Sequence, residues 1–231
     1  MIYLLQPGDY LRKEKAAVRH SDGESIAISF DELSTHALTT MSKPNNFVPV
    51  GTVEYTEKYC QVANIVLPDN ISYPQELRKY LHRIIWQDLF KNVLPTQFVK
   101  PIKTKVFTGG IKQHLTELVQ EHDTVWVSEP IDFTCEFRYY VIDGAVAGHS
   151  QYDDSDDAVV PDIDIVCSMI ADYRSAPVAY AIDVGVSHGR TVLIEVNDGW
   201  ALGLYPWGTM TNQRYVELIT RRWKEITGAT L

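Results

Sequence analysis

The pattern of apolar and polar positions changes about a third of the way along the chain. Within residues 1–72, short apolar runs alternate with polar breaks. Such runs predict strands, because β-branched and aromatic residues favour an extended backbone. The predicted strands cover residues 2–5, 26–30, 47–53 and 62–67, and residues 42–46 are predicted to form a loop.

Residues 72–93 carry the pattern of an amphipathic helix. Ser72 is followed three residues later by Gln75, which is the spacing of a capping box, and Pro74 fits the first turn. Apolar residues then recur at helical spacing: Leu77, Leu81, Ile84, Ile85, Leu89 and Val93. The pattern therefore predicts one helix that ends before Pro95. Four basic residues off its apolar face are expected to be solvent-exposed: Arg78, Lys79, Arg83 and Lys91.

The rest of the chain contains more regular elements. Strands are predicted at residues 97–100, 124–127, 136–142, 145–151, 178–186 and 191–196, and helices at residues 111–121, 163–173 and 211–226. Asp143 and Gly144 stand between two apolar runs, and such a pair is the strongest short-range signal for a β-hairpin. We therefore expect the strands on either side of this pair to be antiparallel neighbours.

Composition narrows the class of protein. The 231 residues carry a formal net charge of −9, and the pI is near 5.2. A dedicated nucleic-acid surface normally shows a basic excess, so this balance argues against one. The three cysteines are odd in number and have neither disulfide-framework nor zinc-ligand spacing. No apolar run has the length of a membrane span or a signal-peptide core. We therefore expect a reduced cytoplasmic protein without a membrane partner.

Two of the predicted strands carry oxygen-bearing side chains. Glu195 and Asn197 are two residues apart in one strand, so both project from the same face. Asp183 joins them if its strand lies beside theirs in one sheet. Two carboxylates and an amide oxygen suit a hard cation such as Mg²⁺. A polar strand end at a sheet edge would give the same pattern, and the residues alone leave both interpretations open.

Lysines and glycines follow the strand at residues 97–100. Lys100, Lys103 and Lys105 supply positive charges suited to phosphates, and Gly109 and Gly110 allow the backbone to approach a ligand closely. The chain contains no Walker sequence. An exposed strand end is the simpler explanation of the lysines taken alone.

A proline-marked break follows the strand at residues 124–127. Its residues Glu129, Pro130 and Ile131 fit a hinge whose backbone groups could meet the edge of a flat base. Glu136 and Arg138 share one strand face by alternation. A glutamate suits ribose hydroxyls and an arginine suits a phosphate or carboxylate. A cross-strand ion pair is an equally good interpretation of these two residues.

Five short motifs occur in an order that resembles the ATP-grasp superfamily. They are Phe-Val-Lys-Pro, Val-Ser-Glu-Pro-Ile, Glu-Phe-Arg, Ala-Ile-Asp-Val and Ile-Glu-Val-Asn. Through residues 47–53 and 197–205, the chain is also similar to small, mostly uncharacterised ATP-grasp proteins of phages and bacteria. The resemblance covers about residues 47–225.

The resemblance implies an α+β fold. Two α+β lobes would clasp ATP between antiparallel sheets, after an N-terminal pre-grasp α/β segment. The implied pre-grasp domain covers residues 1–95 and the ATP-grasp domain residues 96–231. Within the latter, residues 96–128 would form the smaller lobe and residues 129–231 the metal-binding lobe.

The resemblance also implies roles for individual residues. The nucleotide would be bound by Lys100 at the phosphates, by the backbone of Glu129, Pro130 and Ile131 at adenine, and by Glu136 at the ribose. Mg²⁺ would be held by Asp183, Glu195 and Asn197. Lys105 and Arg138 would be the catalytic positive groups over the triphosphate and the reacting carboxylate. The glycine-rich lid of the family is shortened here to residues 103–110, and the first sixty residues offer no recognisable acceptor site.

The function implied is an ATP-dependent ligase that activates a carboxylate as an acyl phosphate. A small-molecule or peptide carboxylate would be joined to an amine or thiol acceptor. The alternatives are a kinase on the same site, a module that binds ATP without turnover, and a nucleic-acid ligase with a lysine–AMP intermediate, against which the acidic charge weighs. The oligomeric state is open, with a homodimer among the candidates.

Overall fold

The computed structural model describes residues 1–34, 46–103, 106–115, 117–156, 159–205 and 207–229. Most of the loop predicted at residues 42–46 lies outside these ranges. No helix within them is long and apolar enough to cross a membrane.

The N-terminal part is a three-stranded parallel sheet with two helices. Strands β1 (Ile2–Leu5), β2 (Ser25–Ala27) and β3 (Phe47–Val50) are arranged in the order β2-β1-β3. Helix α1 (Arg12–His20) follows β1, and helix α2 (Val53–Ala63) follows β3. Thr52 caps α2, since its hydroxyl accepts a hydrogen bond from the Tyr55 amide at 3.2 Å. The predicted strand at residues 62–67 is wrong, because its first residues belong to the last turn of α2.

The second part is a four-stranded antiparallel sheet in the order β4-β7-β5-β6. Its strands are β4 (Ile85–Leu89), β5 (Phe98–Pro101), β6 (Gly110–Ile111) and β7 (Thr124–Ser128). The predicted strands at residues 97–100 and 124–127 are thus confirmed. We call this part the small lobe.

Two predicted helices of this region are wrong. Residues 72–93 form a 3₁₀ segment (Gln75–Tyr80), strand β4 and a second 3₁₀ segment (Phe90–Asn92). Residues 111–121 hold only a 3₁₀ turn (Lys112–His114) and further turns. His82 lies in the left-handed region at φ 48°, which ends any helical path. Pairing of β4 with β7 then overrides the helical pattern. Residues 85–89 therefore share a sheet with residues 98–101, and the domain boundary between residues 95 and 96 stays a prediction.

The third part is an antiparallel sheet in the order β11-β10-β8-β9, with helices on both of its faces. We call it the large lobe. Its elements are β8 (Cys135–Ile142), β9 (Ala145–Gln151), helix α3 (Ile163–Asp172), β10 (Ala179–Ser187), β11 (Arg190–Asp198) and helix α4 (Asn212–Thr227). All six were predicted. Asp143 and Gly144 have φ of 50° and 71°, as a tight hairpin turn requires, so the predicted hairpin is confirmed.

Apolar clusters cover both faces of this sheet. On one face, Tyr140, Ala179 and Ala181 pack with α4 and the N-terminal sheet. On the other face, Tyr139, Ile182, Val184, Leu193 and Val196 pack with α3. A separate, smaller cluster fills the small lobe. The fold is α+β, with the two antiparallel sheets as its main elements.

Candidate functional site

A cleft of about 1200 Å³ lies between the small lobe and the large lobe, and the N-terminal part forms one of its walls. Residues of all three parts line it. Those with chemistry relevant here are Glu57, Arg83, Lys100, Lys103, Glu136, Arg138, Tyr152, Glu195, Asn197 and Tyr205.

A β-bulge in β11 sets the direction of two predicted site residues. Val184 pairs with Leu193, but Asp183 pairs with Glu195, so Ile194 is an extra residue without a partner. Strict alternation would send Glu195 to the side of the buried Leu193. The bulge reverses this, so that Glu195 and Asn197 line the cleft while Leu193 and Val196 pack in the core.

Asp183 lies beneath the cleft in a buried ion pair. Its two carboxylate oxygens accept hydrogen bonds from Nε and Nη2 of Arg138 at 2.7 and 2.8 Å. Asn197 Nδ2 also donates to Asp183 Oδ2, at 2.9 Å. Asp183 is 2% exposed and Arg138 is 7% exposed. Burial lowers the pKa of Arg138, but the charge and hydrogen bonds of Asp183 outweigh this and hold the pKa above its ordinary value. Arg138 therefore stays charged at the floor of the cleft.

Lys100 reaches across the cleft from the small lobe to Glu195, with which it forms a salt bridge. Its ammonium group also lies 3.4 Å from the Ser72 hydroxyl and 5.3 Å from the centre of the Tyr73 ring. Burial lowers the pKa of Lys100 to about 8, and the attraction of Asp183 opposes this only in part. The three predicted oxygen ligands and the predicted lysine are thus close together in space.

Glu136 lies farther along the same face of β8. Burial raises the pKa of its carboxyl group, although a hydrogen bond with the Tyr152 side chain opposes the change. The amide of Glu136 donates to Asp153 Oδ1 at 3.0 Å, which fixes this end of β8 against the acidic loop. Its carboxylate is available at the cleft wall as a hydrogen-bond acceptor.

The residues of the predicted hinge lie at the end of β7. Pro130 and Ile131 line the cleft, whereas Glu129 is exposed and is not among the lining residues. The Ser128 hydroxyl donates to the Glu129 carbonyl at 2.9 Å, so this carbonyl is already engaged. Lys105 lies outside the described residues. The neighbouring Lys103 forms an ion pair with Glu57 of α2 at 3.1 Å, which links the small lobe to the N-terminal part.

A loop after β11 holds Arg138 from above. Arg138 Nη1 lies 3.4 Å from the Gly203 carbonyl, which also accepts from the Tyr140 hydroxyl at 3.1 Å. The buried Glu14 of α1 accepts from the Leu204 amide at 2.6 Å. The Arg138 guanidinium lies 4.8 Å from the centre of the Tyr205 ring, within range of a cation–π contact. The N-terminal part therefore helps to fix the central arginine of the site.

Sequence reasoning missed Glu14, Arg83 and the Tyr152–Tyr205 pair. Arg83 was expected to be solvent-exposed, and this is wrong, since it donates to three backbone carbonyls at the cleft wall. The stacked rings of Tyr152 and Tyr205, 5.0 Å apart, come from segments some fifty residues apart. No local pattern connects residues so distant, and the false helix at residues 72–93 hid Arg83.

Charge compensation is the common feature of the site. Arg138 neutralises Asp183 and Lys100 neutralises Glu195, so two positive and two negative groups alternate around the floor of the cleft. Within the described residues, no group of three or more His, Cys, Asp and Glu side chains could hold a metal ion. The acidic part of the predicted cation site consists of Asp183 and Glu195, and its third member is the amide of Asn197.

Comparisons with known proteins identify the architecture. A family model that describes an ATP-grasp domain, the second family of its clade, matches residues 80–217, which is more than half of the chain. A comparison with curated protein sequences gives no match.

Solved structures of similar fold span almost the whole chain. The D-cycloserine synthetase DcsG has a TM-score of 0.57 at 12% identity, covering 96% of this chain and 99% of that chain. The D-alanine–D-alanine ligase from Bacillus anthracis in complex with ATP has a TM-score of 0.56 at 11% identity, covering 100% and 99%. A RimK domain ATP-grasp protein from Sphaerobacter thermophilus has a TM-score of 0.55 at 15% identity, covering 100% of both chains. At these identities the likeness concerns the fold. Together with the matching family model, it shows that this chain belongs to the ATP-grasp superfamily, in the domain family whose model it matches.

Proposed function

We propose that the protein is an ATP-dependent ligase that joins a carboxylate to an amine or thiol through an acyl phosphate. The observation that carries the proposal is the floor of the cleft. There Lys100 and Arg138 stand among Asp183, Glu195 and Asn197, within a fold of ATP-grasp type. The neighbours of similar fold include a D-alanine–D-alanine ligase and a D-cycloserine synthetase, which fits this class of reaction.

The nucleotide would lie along the small lobe. Its base would meet the backbone of Pro130 and Ile131, and its ribose the carboxylate of Glu136. Lys100 would donate to the phosphates. An ammonium group held in a partly buried cleft acts more strongly on a phosphate than one in open water, because the effective dielectric constant is lower.

The donor set at the floor fits Mg²⁺. Carboxylate and amide oxygens are hard ligands, and Mg²⁺ prefers a few of these together with water and phosphate oxygens. Asp183, Glu195 and Asn197 would hold the ion, which would neutralise charge on the phosphates that it bridges. Both carboxylates are paired with cations here, so a metal-bound state requires Lys100 and Arg138 to exchange partners.

This exchange gives the two cations a role in the reaction. A Lys100 released from Glu195 is free to donate to phosphate oxygens. Arg138 has a further donor group, Nη1, held at 3.4 Å from the Gly203 carbonyl, and this group would orient the reacting carboxylate. Fixed positive groups of this kind stabilise charge that develops in a transition state without reorganisation.

Product analysis tests the proposal. The protein is incubated with ATP, Mg²⁺ and pools of carboxylic acids, with hydroxylamine present as a general nucleophile. A ligase of this class releases ADP and phosphate only when a carboxylate is present, and the acyl phosphate is trapped as a hydroxamate. Formation of AMP and pyrophosphate would contradict the acyl-phosphate route. Phosphate retained on an acceptor that lacks a carboxylate would instead identify a kinase.

A further inference from the structure

The bulge in β11 presents two carbonyl groups toward the small lobe. In a regular ladder, each strand carbonyl accepts from a partner strand, but the extra residue Ile194 interrupts this pattern. The free carbonyls of a bulge need other donors, because an unpaired buried carbonyl is costly.

Arg83 supplies these donors from the small lobe. Its Nη1 donates to the Leu193 carbonyl at 3.0 Å and its Nη2 to the Ile194 carbonyl at 3.2 Å. Nη1 also donates to the Leu81 carbonyl at 3.2 Å, which ties the guanidinium to its own segment. One planar side chain therefore bridges the two carbonyls that immediately precede Glu195.

Arg83 has no carboxylate partner within salt-bridge distance among the residues that the structure describes. Burial of its guanidinium lowers its pKa, and a hydrogen bond with the Tyr73 side chain opposes this change. A half-buried cation that meets carbonyl groups and a phenol is an unusual choice for a simple surface contact, since a carboxylate would compensate its charge better. The fork of two donor groups is the property that Arg83 offers at this place and that a lysine lacks.

We propose that Arg83 is a positioning residue for the proposed cation site. It fixes the bulge at Ile194, and the bulge turns Glu195 and Asn197 toward the cleft. Loss of the two hydrogen bonds would leave Glu195 attached to a loose strand segment, while Lys100 and Glu136 keep their places. The inference rests on the proposed function in that it assigns the cation to Glu195 and Asn197.

The test compares Arg83→Lys and Arg83→Gln with the matched control Arg78→Lys, which changes an exposed arginine a few residues earlier. A fluorescent ATP analogue is titrated first in EDTA and then with increasing Mg²⁺. We expect the Mg²⁺ concentration at half-saturation to rise about 10- to 100-fold in both Arg83 variants, the usual cost of removing a group that orients metal ligands. Binding of the analogue in EDTA should change by less than about twofold, and Arg78→Lys should match the wild type.

Amide hydrogen exchange provides a readout that does not need a metal. Exchange should become faster within residues 190–198 of both Arg83 variants, with strand β8 unchanged. Unchanged exchange there would overturn the proposal, and so would a loss of binding in EDTA as large as the loss in Mg²⁺, which would indicate direct phosphate contact. Global unfolding of both variants would overturn it as well, because Arg83 would then support the whole fold. If wild-type protein binds no Mg²⁺–nucleotide, the proposed function fails, while the exchange data still decide whether Arg83 fixes the bulge.

Discussion

The two sheets that face each other across the cleft differ in how they are supported. The sheet of the large lobe has long strands, with β10 and β11 of nine residues each, and apolar clusters cover both of its faces. The sheet of the small lobe has strands of two to five residues and one apolar cluster. The large lobe carries Asp183, Arg138, Glu195 and Asn197, and the small lobe carries Lys100 and the hinge.

This difference assigns different physical tasks to the two lobes. Buried charges need a rigid surround that satisfies all of their hydrogen bonds, and the doubly covered sheet provides it. The small lobe reaches the large lobe largely through polar contacts, from Lys100 to Glu195 and from Arg83 to the bulge. Polar contacts of this kind can break and re-form when a ligand enters. Changes in the large lobe should therefore affect stability most, and changes in the small lobe should affect binding.

The largest effect is expected from Arg138→Ala. The variant leaves the carboxylate of Asp183 buried without a partner, and removing one member of a buried ion pair costs about 3–5 kcal/mol. Chemical denaturation should show this loss in the free energy of unfolding. Lys100→Ala is the comparison in the small lobe and should cost much less, because Lys100 and Glu195 are both partly exposed. Equal losses in the two variants would break the distinction between the lobes.

Glu195→Gln should separate chemistry from stability within the large lobe. The amide keeps the shape of the side chain but lacks the charge that the proposed cation site requires. Turnover of Mg²⁺–ATP should fall by about 10²–10³-fold, the usual cost of one charge-stabilising group in a transition state. The measurement is ADP release at saturating nucleotide, with thermal unfolding in parallel. Asp172→Asn serves as the control, since it removes a carboxylate from an ion pair with Lys79 on the far helix. Normal turnover in Glu195→Gln would remove Glu195 from the site.

The same contrast explains which parts of the structure the sequence could predict. Strands β8 to β11 were found because dense β-branched and aromatic residues, together with the Asp143-Gly144 turn, specify them locally. In the small lobe the pattern at residues 72–93 identified buried residues correctly, since Leu77, Leu81 and Ile85 all lie in one core cluster. It did not identify the backbone that presents them, because pairing of β4 with a strand nearly forty residues later decides that.

The candidate site was predictable to a similar degree. Two-residue spacing placed Glu195 and Asn197 on one face, and adjacent strands brought Asp183 to them. The bulge that makes this face the cleft side has no local signal in the sequence. Nor does the pairing of Arg83 with carbonyls that lie 110 and 111 residues later in the chain. Contacts across such distances depend on the assembled lobes.

The pH dependence of nucleotide binding probes Lys100 in the small lobe. A pKa of about 8 means that the amine is mostly charged at pH 7 and mostly neutral at pH 9. Affinity for ATP should therefore fall as pH rises through 8, with the charged fraction of Lys100 changing about tenfold between these two values. Fluorescence titration at constant ionic strength gives the dissociation constants. Lys100→Arg stays charged throughout, so its affinity should be nearly independent of pH in this range. Parallel pH profiles for the two proteins would show that another group titrates.

The smallest effect is expected where the small lobe meets the N-terminal part. Glu57 of α2 pairs with Lys103, whose side chain is 67% exposed, and such surface pairs contribute about 0–1 kcal/mol. Glu57→Gln should therefore change the free energy of unfolding by less than about 1 kcal/mol, with the small difference reduced further by salt. Glu14→Gln is the informative partner variant, because Glu14 is buried and accepts the Leu204 amide above Arg138. Its loss of stability should exceed that of Glu57→Gln and should not depend on salt. A reversed order would mean that the N-terminal part acts on the site through the small lobe and not through the loop that holds Arg138.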